Sequence, residues 1–254
     1  MGRAISTQPD PEVVRTSFRG CRPIFYDFFT AGVSRQYRAV AVGRLALQPG
    51  DAVIDLGCGT GLSLPLLVDA VGPEGQVIGV DASPHMLARA RQRVEAAGWR
   101  NVELVEVFAQ DFQPQEPVDG VLACNVNQLI CSPEVVKSAV AWLKPGGRFV
   151  ATGSRRGPGF GGFLRALFLR VTIPLMQRER SAVRWILQER PWQELERALG
   201  PLEIEYFLAG AAFVAWGGQA SCQRDQGGVR ATGSDGQRIK GEPSWLPSQA
   251  ENFS

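Results

Sequence analysis

Histidine and lysine are scarce in this chain of 254 residues: one residue is a histidine, and three of the 27 basic residues are lysines. No group of His, Cys and carboxylate residues has the spacing of metal ligands, so the sequence predicts no metal. The formal charge is only +2, and 44% of the residues are hydrophobic. These values exclude a chain that is disordered throughout and are typical of a soluble globular protein.

The sequence also lacks the cysteine patterns of disulfide frameworks and zinc sites, and an export signal. The five cysteines are odd in number, widely spaced and without a Cys-x-x-Cys pair, which indicates reduced intracellular thiols. The N-terminus has no apolar signal region. The most apolar stretch, 160–176, contains two arginines and a proline and is too short and too charged for a membrane span. We therefore expect a cytoplasmic protein.

The net charge is near zero, but acidic and basic residues are unevenly distributed along the chain. Residues 1–50 carry seven basic and three acidic groups, 51–147 carry six and twelve, and 148–197 carry ten and four. The middle is acidic and its flanks are rich in arginine. Arginine usage alone could reflect genome composition, but its segregation predicts different ligands for the two parts.

Short apolar runs alternate with helical patterns through the middle of the chain, which is typical of repeated βαβ units. The predicted helices cover 62–71, 84–97, 133–144 and 191–200, with Ser83 as an N-cap. Pro145-Gly146-Gly147 is predicted to be a turn. The predicted strands are 51–57, 76–81, 101–107, 118–126, 148–153, 202–208 and 211–217. The fold class is therefore α/β, a seven-stranded, mostly parallel sheet with helices on both faces and a final antiparallel strand.

A glycine loop follows the first strand: Asp55-Leu56-Gly57-Cys58-Gly59-Thr60-Gly61. Its spacing is one residue tighter than the Gly-x-Gly-x-x-Gly of dinucleotide sites. Asp55 would repel a pyrophosphate and suits a ligand with positive charge, such as the ammonium and sulfonium of S-adenosylmethionine. Asp81 ends the second strand, where a carboxylate can bind both ribose hydroxyls, as it also does in NAD folds.

Five motifs in order carry a resemblance to a known family: DLGCGTG, VDASPHMLARAR, the Gln110-Asp111-Phe112 step, VDGVLACNV and LKPGGRFVATG. The sequence resembles the class I S-adenosylmethionine-dependent methyltransferases, a Rossmann-like family, and in particular the group that includes quinone-biosynthesis and phospholipid methyltransferases. The resemblance covers roughly residues 25–217 and implies S-adenosylmethionine as cofactor. The cofactor-binding residues that it implies are Asp55, Gly57, Cys58, Gly59, Gly61, Asp81, Ala82, Met86, Asp111, Phe112 and Asn125.

The resemblance assigns roles to these residues, and plainer interpretations stay open. The glycine loop and Asp55 would hold the methionine part, Asp81 the ribose, Ala82 and Met86 the adenine edge, and Asp111 and Phe112 the adenine amino group and ring. Asp55 could instead cap a turn, Asp81 and Asp111 could be loop residues, and Met86 could be core packing. The sole histidine, His85, begins the second helix, a poor place for a general base.

Candidates for the acceptor side lie in the flanks and after the fourth strand. Tyr26 and Asn125 are the catalytic candidates. The resemblance implies that Asn125 faces the donor methyl, and Tyr26 could close over the cofactor, orient the acceptor or simply pack in an N-terminal helix. Arg155 and Arg156 could clamp an anion. We expect residues 1–50 to form a helical segment over the cleft and 51–217 the cofactor-binding domain, with 154–190 as a lid or acceptor segment that could contact an anionic membrane. Residues 218–254 are predicted to be a disordered tail.

The predicted function is methyl transfer to a small molecule that is lipophilic or anionic, at oxygen, nitrogen or carbon. An RNA or protein methyltransferase is the alternative, but the balanced charge and the lack of an Asn-Pro-Pro-Tyr motif disfavour nucleic acid. A non-catalytic cofactor-binding subunit and a nicotinamide dehydrogenase stay open as well. Neither the oligomeric state nor the acceptor's identity follows from the sequence.

Overall fold

A single seven-stranded sheet organises the computed structural model, which describes residues 35–155 and 188–219. The strand order is β3-β2-β1-β4-β5-β7-β6; neighbours from β3 to β5 are parallel, and β7 runs antiparallel to both β5 and β6. This confirms the predicted fold class. The strands are β1 (Ala52–Leu56), β2 (Gln76–Asp81), β3 (Val102–Glu106), β4 (Val118–Cys124), β5 (Leu143–Ser154), β6 (Glu203–Phe207) and β7 (Ala212–Gly218).

Helices cover both faces of this sheet. Ser83 caps α3 as predicted, because its Oγ accepts a hydrogen bond from the Met86 amide at 3.4 Å. Gly98 ends that helix in the left-handed conformation. Within the described residues the helices are α1 (35–45), α2 (Leu64–Val71), α3 (Pro84–Ala97), α4 (Asn127–Ile130), α5 (Pro133–Ala141) and α6 (Gln193–Leu199).

Two apolar clusters fill the space between the sheet and its helices. One contains Trp142, Trp192 and Phe213 together with residues of α5 and α6. The other is built from α1 and α2, with Leu64 and Leu67 fully buried against the strands. Burial on both faces explains why the central strands are nearly continuous apolar runs rather than alternating patterns.

The predicted turn at Pro145-Gly146-Gly147 is wrong, and so is the predicted end of the preceding helix. α5 ends at Ala141, and β5 begins at Leu143 and runs through these three residues. Leu143 pairs with Val118, and the register then shifts before Gly120 pairs with Arg148. This register shift is a β-bulge that accommodates the additional residues of β5, and backbone hydrogen bonds to Gln219 hold it in place.

Several predictions concern residues outside the described ranges. They are the structure of residues 1–34, Tyr26 among them, most of the predicted lid at 154–190, and the predicted tail after residue 219. These domain assignments stay predictions. None of the helices that the structure describes is long and apolar enough to cross a membrane.

Candidate active site

The glycine loop leaves β1 at the point where the strand order reverses between β1 and β4, the usual ligand crevice of such sheets. Gly57, Gly59 and Gly61 all have positive φ, at +72°, +56° and +78°. A Cβ on Gly57 would lie 2.6 Å from Val126 Cγ1, whereas one on Gly59 would meet no atom within 4 Å. Gly57 is therefore required by packing, and Gly59 leaves its outer side open to a ligand.

Asp81 organises this loop from the end of β2. The Gly59 amide donates to its Oδ2 at 2.9 Å, and the Ser83 amide donates to its Oδ1 at 2.8 Å. Burial raises the pKa of Asp81, and these N–H donors lower it. Ribose binding by Asp81 stays a prediction, and the structure adds that the same carboxylate fixes the loop.

A small cavity of about 20 Å³ lies beside the loop, with Asp55 and Arg38 both in its wall. Asp55 is 1% exposed and Arg38 is 6% exposed. Neither oxygen of Asp55, nor Nε of Arg38, has a hydrogen-bond partner in the described part of the chain. Buried polar atoms without partners are costly, so this cavity is suited to a small group that carries both charges.

The thiols in this cavity are neutral. Burial raises the pKa of Cys58 well above its usual value, and the charges of Asp81 and Asp55 add to the effect. Burial also raises the pKa of Cys124, which Arg38 opposes. Neither thiol has the low pKa of a nucleophilic cysteine, so both serve as cavity wall.

The residues predicted for the adenine side lie around the start of α3 and after β3. Met86 is buried, Ala82 is half-buried, and the Asp111 amide donates to the Phe108 carbonyl at 2.9 Å. The ring of Phe112 meets that of Trp142 edge-on, with centroids 5.2 Å apart. Their contacts with adenine stay predictions.

Asn125 directly follows β4 and adopts a left-handed conformation, with φ at +60°. Its backbone N–H donates to the Thr152 carbonyl at 2.9 Å, and its side-chain Oδ1 accepts from the Tyr37 hydroxyl at 3.0 Å. Asn is one of the residues that tolerate this conformation. The end of β4 and helix α1 are thereby joined at the mouth of the crevice.

Sequence reasoning missed Tyr37 and Arg38. They share a buried helix face with Ala41, Val42 and Leu45. A charged residue at core spacing on an amphipathic helix was the available signal, because arginine is almost never fully buried without a partner.

The polar residues predicted for the mouth of the crevice have other contacts. Asn127, which its place two residues after Asn125 suggests as a further hydrogen-bonding group there, is 4% exposed, and its Nδ2 donates to the Ser154 carbonyl at 2.6 Å. It is a structural residue because α4, which sequence reasoning did not predict, turns it inward. The guanidinium of Arg155 lies 4.9 Å from the ring centre of Tyr206 and 5.7 Å from that of Trp192.

Comparison with known proteins decides what this crevice belongs to. Residues 53–147 match the family model described as a methyltransferase domain. The chain carries a class I S-adenosylmethionine-dependent methyltransferase domain. The resemblance inferred from the five motifs is thereby confirmed, and S-adenosylmethionine is the cofactor of this domain class.

Several relatives match beyond this segment. The chain is 29% identical over 195 residues to a demethylmenaquinone methyltransferase of Symbiobacterium thermophilum, covering 73% of this chain and 77% of that protein. It is 38% identical over 128 residues to a phosphatidylethanolamine N-methyltransferase of Cereibacter sphaeroides, covering 49% and 61%. Among other curated relatives is an arsenite methyltransferase of Halobacterium salinarum, of which the chain spans only 27%.

A solved structure shows the same fold. It is an O-methyltransferase family protein of Burkholderia thailandensis, with a TM-score of 0.59 and 20% identity, and the match covers 79% of this chain and 60% of that one. The helices and strands of the methyltransferase domain therefore have the arrangement expected of its family.

The cavity fits the amino-acid end of S-adenosylmethionine. That end carries an ammonium and a carboxylate, which are the counter-charges of Asp55 and Arg38. The unpartnered Asp55 oxygens and Arg38 Nε provide the acceptors and the donor for them. Among the described residues no group of three or more His, Cys, Asp or Glu could hold a metal.

Cofactor binding is expected to depend on pH through Asp55. Burial raises the pKa of Asp55 from 3.8 to about 7, partly opposed by Arg38 and reinforced by Asp81. Only the ionised carboxylate attracts an ammonium, so affinity should fall about tenfold for each pH unit below 7. By linkage, the ligand-free fold loses stability as pH rises from about 4 through 7.

Titration calorimetry between pH 5.5 and 7.5 measures this dependence. 5′-Methylthioadenosine, which lacks the amino-acid end, serves as the control ligand and should not follow the same slope. An affinity for S-adenosylmethionine that is constant over this range contradicts the role of Asp55.

Proposed function

We propose that this chain transfers a methyl group from S-adenosylmethionine to a small lipophilic or anionic molecule. One observation carries the proposal: a buried carboxylate and a buried guanidinium, both with unpartnered atoms, line one cavity beside the glycine loop. A structural subunit would gain little from buried charged groups with unpartnered atoms, because apolar residues of similar size are often as stable or more stable.

Methyl transfer requires little from the protein beyond the alignment of the cofactor with the methyl acceptor. S-adenosylmethionine supplies an electrophilic methyl group on a sulfonium. Asp55 and Arg38 would hold the amino-acid end, and the glycine loop after β1, whose Gly59 has an open outer side, would border the cofactor. Asn125 lies at the end of β4, where an acceptor would enter. Holding the two reactants in line and excluding water can provide most of the rate enhancement of such a displacement.

The acceptor class is supported by relatives and by charge. Two relatives are named for a quinone and for a phospholipid, both of them lipophilic. The segment 148–197, which follows the matched family segment, carries ten basic and four acidic residues. A segment rich in arginine favours an anionic acceptor or an anionic membrane that presents it.

Methyl-labelled S-adenosylmethionine, incubated with the purified protein and a cell extract, tests the proposal. The extract is then separated into lipid, small-molecule and macromolecular fractions, and we expect label in the first two. Asp81→Ala should transfer no label, because Asp81 fixes the cofactor loop. Asp69→Ala, on the exposed side of α2, is the matched control and should match wild type. Label only in macromolecules would favour an RNA or protein substrate.

A further inference from the structure

Tyr37 and Asn125 form a hydrogen bond between α1 and the end of β4, although 88 positions separate them in sequence. The two atoms, Tyr37 Oη and Asn125 Oδ1, are 3.0 Å apart. Tyr37 is 6% exposed, and its ring packs against Phe207 with centroids 6.2 Å apart. The tyrosine is therefore held in place by packing, and its hydroxyl is fixed at the crevice.

The bond determines which way the Asn125 amide faces. A side-chain amide has one accepting oxygen and one donating nitrogen. Because Oδ1 accepts from Tyr37, Nδ2 is the atom that can donate to something else. The left-handed backbone at Asn125 and the hydrogen bond from its backbone N–H to the Thr152 carbonyl restrict the side chain further.

We propose that Tyr37 is a positioning residue that holds the Asn125 amide with Nδ2 available to donate to a lone pair on the methyl acceptor. This rests on the proposed function and narrows it: the acceptor has an oxygen or nitrogen lone pair near the atom that is methylated. Asn125 contacts the acceptor in this account, and Tyr37 acts only through Asn125.

Tyr37→Phe keeps the ring packing on Phe207 and removes only the hydroxyl. We expect it to lower kcat about tenfold, roughly the value of one well-placed hydrogen bond, with affinity for S-adenosylmethionine within about twofold of wild type. Tyr206→Phe removes the hydroxyl of an exposed tyrosine and should leave kcat unchanged. The acceptor is a fresh, unreacted portion of the lipid or small-molecule fraction that took up label in the preceding experiment.

A double-mutant cycle separates positioning from packing. Asn125→Gly removes the side chain at a backbone conformation that glycine adopts without strain. If Tyr37 acts through Asn125, the double variant Tyr37→Phe with Asn125→Gly is no slower than Asn125→Gly alone. Additive losses, or an equal loss of cofactor affinity, overturn the proposal.

A second measurement needs no acceptor and keeps this inference separate from the proposed function. The side-chain amide signal of Asn125 is assigned in a ¹⁵N–¹H spectrum by its absence in Asn125→Gly. It should shift in Tyr37→Phe and stay in place in Tyr206→Phe, whether or not any extract fraction is methylated. An unchanged signal in Tyr37→Phe overturns the proposal.

Discussion

Asp55→Asn is expected to weaken S-adenosylmethionine binding about a hundredfold at pH 7.5. The substitution keeps the size of the side chain and removes the charge that we expect to face the ammonium of the ligand. Loss of one partner of a buried charge pair costs about 3 kcal/mol, which corresponds to this factor in affinity. Titration calorimetry of the purified variant measures it.

5′-Methylthioadenosine and a second carboxylate distinguish this effect from general damage. Asp55→Asn should bind methylthioadenosine within about threefold of wild type, because that ligand has no amino-acid end. Asp81→Asn should lose affinity for both ligands, since Asp81 holds the Gly59 amide. Equal losses of both ligands in Asp55→Asn would show that Asp55 shapes the loop and does not bind the ammonium.

Gly57→Ala and Gly59→Ala are a matched pair with different expected results. Both residues have positive φ, which costs alanine about 1 kcal/mol or more. Only at Gly57 would the new Cβ also lie 2.6 Å from Val126 Cγ1. Crowding of this kind adds about 1 to 3 kcal/mol. We therefore expect Gly57→Ala to lower the free energy of unfolding by about 3 kcal/mol, and Gly59→Ala by about 1 kcal/mol.

Urea unfolding and cofactor titration together check this pair. Gly59→Ala should stay folded but bind S-adenosylmethionine more weakly, because its methyl group would project toward the open side of the loop. Gly57→Ala should be the less stable of the two, irrespective of ligand. Equal unfolding free energies would mean that Val126 moves aside without cost.

The central strands could be predicted closely from the sequence. The expected range 76–81 is the observed β2, and 51–57 and 118–126 contain β1 and β4 with one or two residues to spare. Each is a buried apolar run bounded by residues that favour turns, so pattern and structure agree. The glycine loop was equally recognisable because its conformation depends on glycine itself.

Two local features could not be predicted because distant contacts determine them. Pro145-Gly146-Gly147 is typical of a turn, yet pairing of β5 with β4 and backbone bonds to Gln219 keep it in the strand. α4 has only four residues, too short for any helical period. Its consequence, the inward position of Asn127, depends on the neighbouring carbonyl of Ser154.

One of the two charged residues of the cavity, Arg38, could not be predicted from the motifs. Asp55 stands inside the glycine motif, but its partner Arg38 lies 17 positions earlier, in a helix without a recognisable motif. Only the fold shows that α1 brings Arg38 and Tyr37 to the ends of β1 and β4. The charge of Arg38 partly offsets the rise that burial causes in the pKa of Asp55.

The reversal of strand order between β1 and β4 divides the strands into two consecutive sets. Strands β1 to β3 lie on one side of the crevice, and β4 to β7 lie on the other. The matched family segment ends at residue 147, within β5. Such a layout allows the strands after β4 to vary with the methyl acceptor, while the strands that carry the glycine loop and Asp81 stay the same.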